Sequence, residues 1–255
     1  MLSKNKIKLI RSLEHKKYRD IENLFVVEGS KSVLEAARYF SCEILCTTSD
    51  WLARHNIKAI ETIEINDVEL KKISFLKTPQ KVLAVFRKTA FGYNIEELKA
   101  ALSLALDNIQ DPGNLGTIIR IADWFGIKHI FCSEGTADVF NPKTVQATMG
   151  AIGRVKVHYV DLPIFLKNIY NNVPVYGTFL DGENIYEHAL SPNGIIVMGN
   201  EGNGISQQVA DTVSHKLFIP SFSVGNETSE SLNVAVATAV CCSEFRRRSL
   251  KNAVI

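Results

Sequence analysis

The chain has 255 residues, 46% of them hydrophobic and 22% charged, with a net charge of only +2. That is an ordinary globular composition, with room for one large domain or two small ones, and a charge too small to announce a nucleic-acid binder. No apolar run reaches the ~18 residues of a membrane span and the start lacks a secretory apolar core, so a cytoplasmic protein with no membrane segment is expected. Five cysteines without C-x-x-C spacing and six scattered histidines without an H-x-H or H-x-x-x-H pair point away from a disulfide framework and from a metal site.

In chain order, Ile7, Ile10, Arg11 and Leu13 followed by Tyr18 predict a short amphipathic helix. The same stretch concentrates Lys4, Lys6, Lys8, Arg11, Lys16, Lys17 and Arg19 against Glu14 alone. It reads either as a solvated helical face or as an electrostatic footprint for an RNA backbone, with Lys4, Lys6, Lys8, Arg11, Lys17 and Arg19 as the candidate contacts. LFVVEG reads as a strand, KSVLEAARYF as a helix, CEILCTT as a strand, ELKKISFL as a helix and KVLAVFRK as a strand, which makes a small α/β unit over residues 1–92. FGYNIEEL reads as a linker. The pattern then restarts: LSLALDNI strand, LGTIIRIADWF helix, HIFCS strand, PKTVQATMG helix, VKVHYV strand, PIFLKNIY helix, VPVYGTFL and GIIVM strands, QQVADTV helix, HKLFIP strand, and a long closing helix from SLNVAVATAV onward. Such alternation predicts a mostly parallel sheet over residues 100–255.

Three polar loops follow strands of this second unit. In DNIQDPGNLG, Asn114 is placed to cap the next helix, or to serve a site, and Arg120 further along that helix sits among Ile118, Ile119, Ile121 and Ala122, where a guanidinium wants an anionic partner. In GNEGNGIS the glycines Gly199, Gly202 and Gly204 are in the order G-x-x-G-x-G, which is not the dinucleotide fingerprint, and the chain has no G-x-x-x-x-G-K-[ST] loop. In SFSVGNETSESLNVAVA, Ser231 and Asn233 begin the last helix, Ser229 and Glu230 are candidate caps, and Asn233 inside a helical run invites a contact role. Ligands of open α/β sheets bind beyond the carboxyl ends of strands, where three such loops converge.

LDNIQDPGNLGTIIRIADWFG, IIVMGNEGNGIS and IPSFSVGNETSESLNVAVATAV resemble, in order, the three motifs of SpoU/TrmH-type RNA 2′-O-ribose methyltransferases of the SPOUT superfamily. KKYRDIENLFVVEGSKSVLEA and TPQKVLAVF resemble the L30e-like substrate-binding domain of the same family. The resemblance implies a C-terminal trefoil knot, a homodimer with sites beside its interface, S-adenosylmethionine as cofactor and ribosomal or transfer RNA as partner. It also implies catalytic roles for Arg120, Asn114, Glu201, Ser231 and Asn233: Arg120 acts on the ribose hydroxyl, Asn114 orients Arg120 or the ribose, and Glu201 fixes the arginine or another polar partner. Leu180, Gly199, Asn200, Gly202, Ile219 and Leu232 are the implied cofactor-binding residues, the glycines bringing backbone against the ligand. A guanidinium, with a pKa above about 12, is a poor base, so Arg120 is read as a clamp on phosphate and on developing alkoxide charge. Two departures stand out: nine residues separate Pro220 from Glu230, more than the family's usual spacing, and Lys81 follows T-P-Q where the family has glycine. A non-catalytic RNA-binding factor of the same fold is the alternative reading.

Overall fold

The computed structural model describes residues 2–169, 173–223 and 231–252. In chain order its elements are α1 (Lys4–Ser12), α2 (Lys16–Glu22), β1 (Leu24–Glu28), α3 (Ser30–Ala36), β2 (Cys42–Thr47), α4 (Ser49–Leu52), β3 (Ala59–Glu64), α5 (Asp67–Ile73), β4 (Val82–Arg87), α6 (Ile95–Ala100) and β5 (Leu102–Leu106). They continue with α7 (Pro112–Trp124), β6 (His129–Cys132), α8 (Pro142–Ala147), β7 (Lys156–Tyr159), α9 (Leu162–Ile169), β8 (Val175–Asn184), β9 (Gly194–Met198), α10 (Gln207–Ala210), β10 (His215–Phe218) and α11 (Val234–Asn252). The chain forms two compact units, the first made of Met1–Ala90 with Asp138–Arg154 and the second of Phe91–Ala137 with Val155–Ile255.

In the first unit, β4 runs antiparallel to both β1 and β2, and β3 adds in parallel at the edge. One side of this sheet buries Ile10, Leu13, Val26, Ile44, Leu83 and Val85. Phe25, Phe40, Phe86 and Phe140 form a ring cluster in the same unit, with Phe25 and Phe140 centroids 4.6 Å apart, so the inserted segment is anchored by apolar packing. The single helix expected over the first residues is two helices. The Leu13 amide, at the end of α1, donates back to Ile10, and Arg19 on α2 turns inward rather than joining a basic face. The edge strand β3 was illegible in sequence because its residues AIETIE stay half-buried or exposed and offer no apolar run. The expected linker carries a helix, α6, whose N-cap Asn94 accepts from the Glu96 amide.

In the second unit the described strands form one all-parallel sheet in the order β10-β8-β9-β5-β6-β7. β5 and β9 are buried throughout, as expected of strands covered on both faces. From β5 the chain steps outward through β6 and β7, then returns on the other side through β8 and β9, so the direction of winding reverses between β5 and β9. These two strands end level, with Leu106 opposite Met198. The loops that follow them therefore leave the sheet side by side, at the place where open α/β folds bind ligands. Among the described residues no helix is long and apolar enough to cross a membrane.

Candidate active site

The loop after β5 begins with Asp107, which is buried and clamps the neighbouring loop: its amide donates to Met198 O at 2.9 Å and its Oδ2 accepts from Ser206 N at 2.8 Å. Asn108 follows with φ +56°, a conformation that asparagine tolerates, and its carbonyl accepts from Asn200 Nδ2 at 2.8 Å. Asn200 in turn accepts through Oδ1 from the amides of Gly202 and Asn203, at 2.9 and 3.1 Å. Its side chain is thus spent on holding the loop, which makes it a positioning group. Asp107 and Asn108 were not singled out in the sequence; the signal available was two small polar residues closing a buried apolar strand.

Gly199 has a steric reason to be glycine, beside the expected approach to a ligand. A Cβ there would lie 2.3 Å from the Gly204 carbonyl carbon and 2.4 Å from Ile205 N, so the loop closes on itself where only glycine fits. Gly204 needs its positive φ of +67°, whereas a Cβ at Gly202 meets only Asn200 Oδ1 at 3.6 Å.

Helix α7 is capped by Asp111, whose Oδ1 accepts from Asn114 N at 2.7 Å, and Pro112 fills the first helical position. Asn114 is therefore not the cap. Its carboxamide joins the other two loops: Nδ2 donates to Glu201 Oε1 at 2.5 Å, and Oδ1 accepts from Asn233 Nδ2 at 3.1 Å. Asn233 also differs from expectation. It sits just before α11 rather than within it, and its Oδ1 accepts from Ala235 N and Val236 N at 3.0 and 3.3 Å, so it is the helix cap as well as a site residue. The Ser229 and Glu230 capping expectation lies outside the described residues.

The Arg120 side chain is exposed and makes no hydrogen bond or ion pair among the described residues. Six residues along the helix from Asn114, it points about 120° away from it, and both Asn114 and Glu201 are engaged with each other. Neither contacts the guanidinium, so of the implied alternatives Glu201 holds another polar partner, Asn114, and the ribose is the role left to Asn114. Ser231 is exposed. Leu180 lies in the stretch of β8 that loops out between its two pairings with β10, at Gly177 and at Glu183, and is 77% exposed. Ile219 is half-buried just past β10, and Leu232 is 48% exposed beside Asn233.

Comparison with known proteins places this arrangement. Residues 101–243 match the SpoU rRNA Methylase family, and residues 4–84 match the MRM3-like substrate binding domain. The chain belongs to the SpoU rRNA methylase family. A 23S rRNA (guanosine(2553)-2′-O)-methyltransferase, RlmP, of Bacillus subtilis is 32% identical over 94% of this chain and 96% of its own length. A candidate RNA methyltransferase of the TrmH family from Porphyromonas gingivalis superposes with a TM-score of 0.88 at 44% identity, covering 97% of this chain and 99% of that one. An AdoMet-bound rRNA methyltransferase from Sinorhizobium meliloti gives a TM-score of 0.82 at 28% identity, covering 97% and 96% of the two chains.

The basic residues of this SpoU-family chain divide into two groups. Arg19 is only 1% exposed: it pairs with Asp138 Oδ2 at 2.6 Å and donates to the carbonyls of Leu13 and Glu14, a buried structural brace instead of an RNA contact. Lys6 is engaged by Glu61, and Arg11 donates to Ser74 O at 2.9 Å while lying over the Phe75 ring. Lys4, Lys8 and Lys17 are exposed and make no ion pair among the described residues, which leaves their charge available.

Proposed function

We propose that the protein methylates the 2′-oxygen of a ribose in ribosomal RNA with S-adenosylmethionine as methyl donor. The observation that carries this reading is the hydrogen-bonded chain Glu201–Asn114–Asn233, which ties the three family motifs together beside the β5/β9 switch point. Family membership and the rRNA-directed relatives support the substrate class.

The residues fit the cofactor. Apolar surface from Leu180, Ile219 and Leu232 stands beside the carboxyl edge of the sheet, with the backbone of the Gly199–Gly204 loop close by, a combination suited to an adenine ring and a ribose. When bound, the cofactor supplies an electrophilic methyl group on a sulfonium. The chain's own task is to position the ribose oxygen and stabilise it as it loses its proton, and positioning alone contributes up to about 7–11 kcal/mol in favourable cases. Arg120, a free planar cation, binds phosphate and steadies the developing oxygen charge. Asn114 and Glu201 hold the polar wall, and Asn233 and Ser231 complete it.

A homodimer is supported by Trp124, 84% exposed on α7, and Val236, 51% exposed on α11, two helices that pack on each other and leave large apolar groups uncovered. A cytoplasmic location is supported by five buried cysteines, none of them bridged. Family membership supports the trefoil knot and the division into an RNA-binding domain over residues 1–92 and a catalytic domain over residues 100–255. The deciding experiment maps ribose methylation in rRNA from cells lacking the protein. One 2′-O-methyl mark is expected to vanish and to return with the wild-type gene but not with Arg120→Ala; an unchanged map overturns the reading.

A further inference from the structure

The first unit contains a cavity of about 290 Å³ where α8 packs against β1, walled by Val26, Phe75, Leu76, Val145 and Ala147. The cavity opens to solvent, so a ligand can enter it from outside. Three further features describe it. Glu28, 6% exposed, lines the cavity, and each of its oxygens accepts one hydrogen bond, from Ser74 Oγ at 2.5 Å and from Phe75 N at 2.7 Å. A carboxylate oxygen can accept two, so acceptor capacity remains on both. Phe75 is half-buried in the lining, with the Arg11 guanidinium 4.9 Å from its ring centroid. Lys143, in the lining, and Lys77, one residue beyond Leu76, are exposed and unpaired among the described residues.

Apolar walls, an aromatic side chain, a carboxylate acceptor and a lining cation, Lys143, match a nucleobase attached to its phosphate. Base–aromatic stacking accepts any base, but adjacent N–H donors facing a carboxylate are offered best by guanine, through N1–H and the 2-amino group. We infer that this cavity receives one unstacked base of the RNA substrate, guanine by preference, with Lys143 and Lys77 holding the flanking phosphates. The inference rests on the reading of the protein as an RNA methyltransferase and adds a recognition site outside the three motifs.

The test uses the full-length ¹⁵N-labelled chain titrated with GMP, AMP, CMP and UMP. Saturable amide shifts at Val26, Phe75, Leu76, Val145 and Ala147, at least fivefold tighter for GMP than for the other three, are expected. Ala147→Phe fills the space and abolishes them, and it raises the KM for an rRNA fragment about tenfold with S-adenosylmethionine affinity unchanged. Lys143→Glu with Lys77→Glu, both at exposed positions, weakens GMP binding about tenfold and guanosine binding little. Silence of these amides with all four nucleotides, or GMP shifts that survive Ala147→Phe, overturns the pocket. Failure of the wild-type chain to bind S-adenosylmethionine would count instead against the methyltransferase reading, independently of what the cavity does.

Discussion

Asn114 donates through Nδ2 to the carboxylate of Glu201 at 2.5 Å, across 87 residues of sequence. The direction of this bond sets the rest of the network. An ionised carboxylate only accepts, so Asn114 must present its oxygen to Asn233, and Asn233 must donate with its nitrogen and keep its oxygen for the amides that open α11. Asn233→Asp preserves the acceptor that caps the helix and removes the donor to Asn114. It is expected to melt within about 0.5 kcal/mol of wild type, whereas Asn233→Ala loses about 1 kcal/mol. Both should lower single-turnover methylation at least tenfold, and a wild-type rate in Asn233→Asp would show that the Asn114–Asn233 bond is dispensable.

Arg120 separates function from stability. Exposed and without a protein partner among the described residues, it contributes nothing to folding that Arg120→Ala would remove, so unfolding free energy should stay within about 0.5 kcal/mol. Methyl transfer should fall by about 10²-fold or more in both Arg120→Ala and Arg120→Lys, since lysine keeps the charge but not the planar fork. Calorimetry should find cofactor affinity kept. Substantial activity in Arg120→Lys would mean that charge alone suffices.

The two glycines of the loop after β9 should respond in opposite ways. Gly199→Ala forces a Cβ into the Gly204–Ile205 backbone, which cannot move aside cheaply, so cofactor affinity should fall more than tenfold and the melting temperature should drop. Gly202→Ala meets nothing closer than 3.6 Å and should bind within about threefold of wild type. Equal effects in the two variants, read by calorimetry and thermal melts, would contradict a close backbone approach at Gly199.

Among the basic residues, Arg19→Ala strands Asp138 in a largely buried position and should cost about 3–5 kcal/mol in denaturant unfolding. Reversing the exposed Lys4, Lys8 and Lys17 to glutamate should leave stability nearly unchanged and reduce the salt dependence of RNA binding by about one unit of slope for each phosphate deprived of its cation. Identical salt slopes before and after reversal would reduce these lysines to a solvated face.

His129 and His158 share a hydrogen bond of 3.0 Å on neighbouring strands β6 and β7, both buried against Phe131. Burial pushes the His158 pKa down to about 4, helped by the charges of His129 and Lys156. Burial also lowers that of His129, with Lys156 and Lys128 adding to the effect and Glu97, 3.8 Å away, opposing it. The unfolded chain, with histidines near pH 6.5, then binds more protons than the folded one, so stability is whole above about pH 6.5 and falls as the pH drops toward 4. The loss should be on the order of 1–2 kcal/mol by pH 5. Urea midpoints from pH 7.5 to 5 should show this slope in the wild type and a flatter one in His158→Phe.

By itself the sequence determined the α/β alternation, the parallel second sheet and the three polar loops at strand ends, because strand burial, helix periodicity and turn chemistry are local and repeat over a few residues. The family motifs likewise put Asn114, Glu201 and Asn233 in view. What the tertiary structure alone decided were partners. Arg19 reads as one more cation in a basic run, yet the fold buries it against Asp138, 119 residues away. Gly199 reads as a ligand-facing glycine, and only the fold shows that the backbone of Gly204 and Ile205 also closes on it and leaves no room for a Cβ. Asp138–Arg154 reads as part of the second alternation, yet its Phe140 packs among Phe25 and Phe40 of the first unit. Side-chain identity states what a residue can bond to, and only the long-range packing of the chain states which partner reaches it.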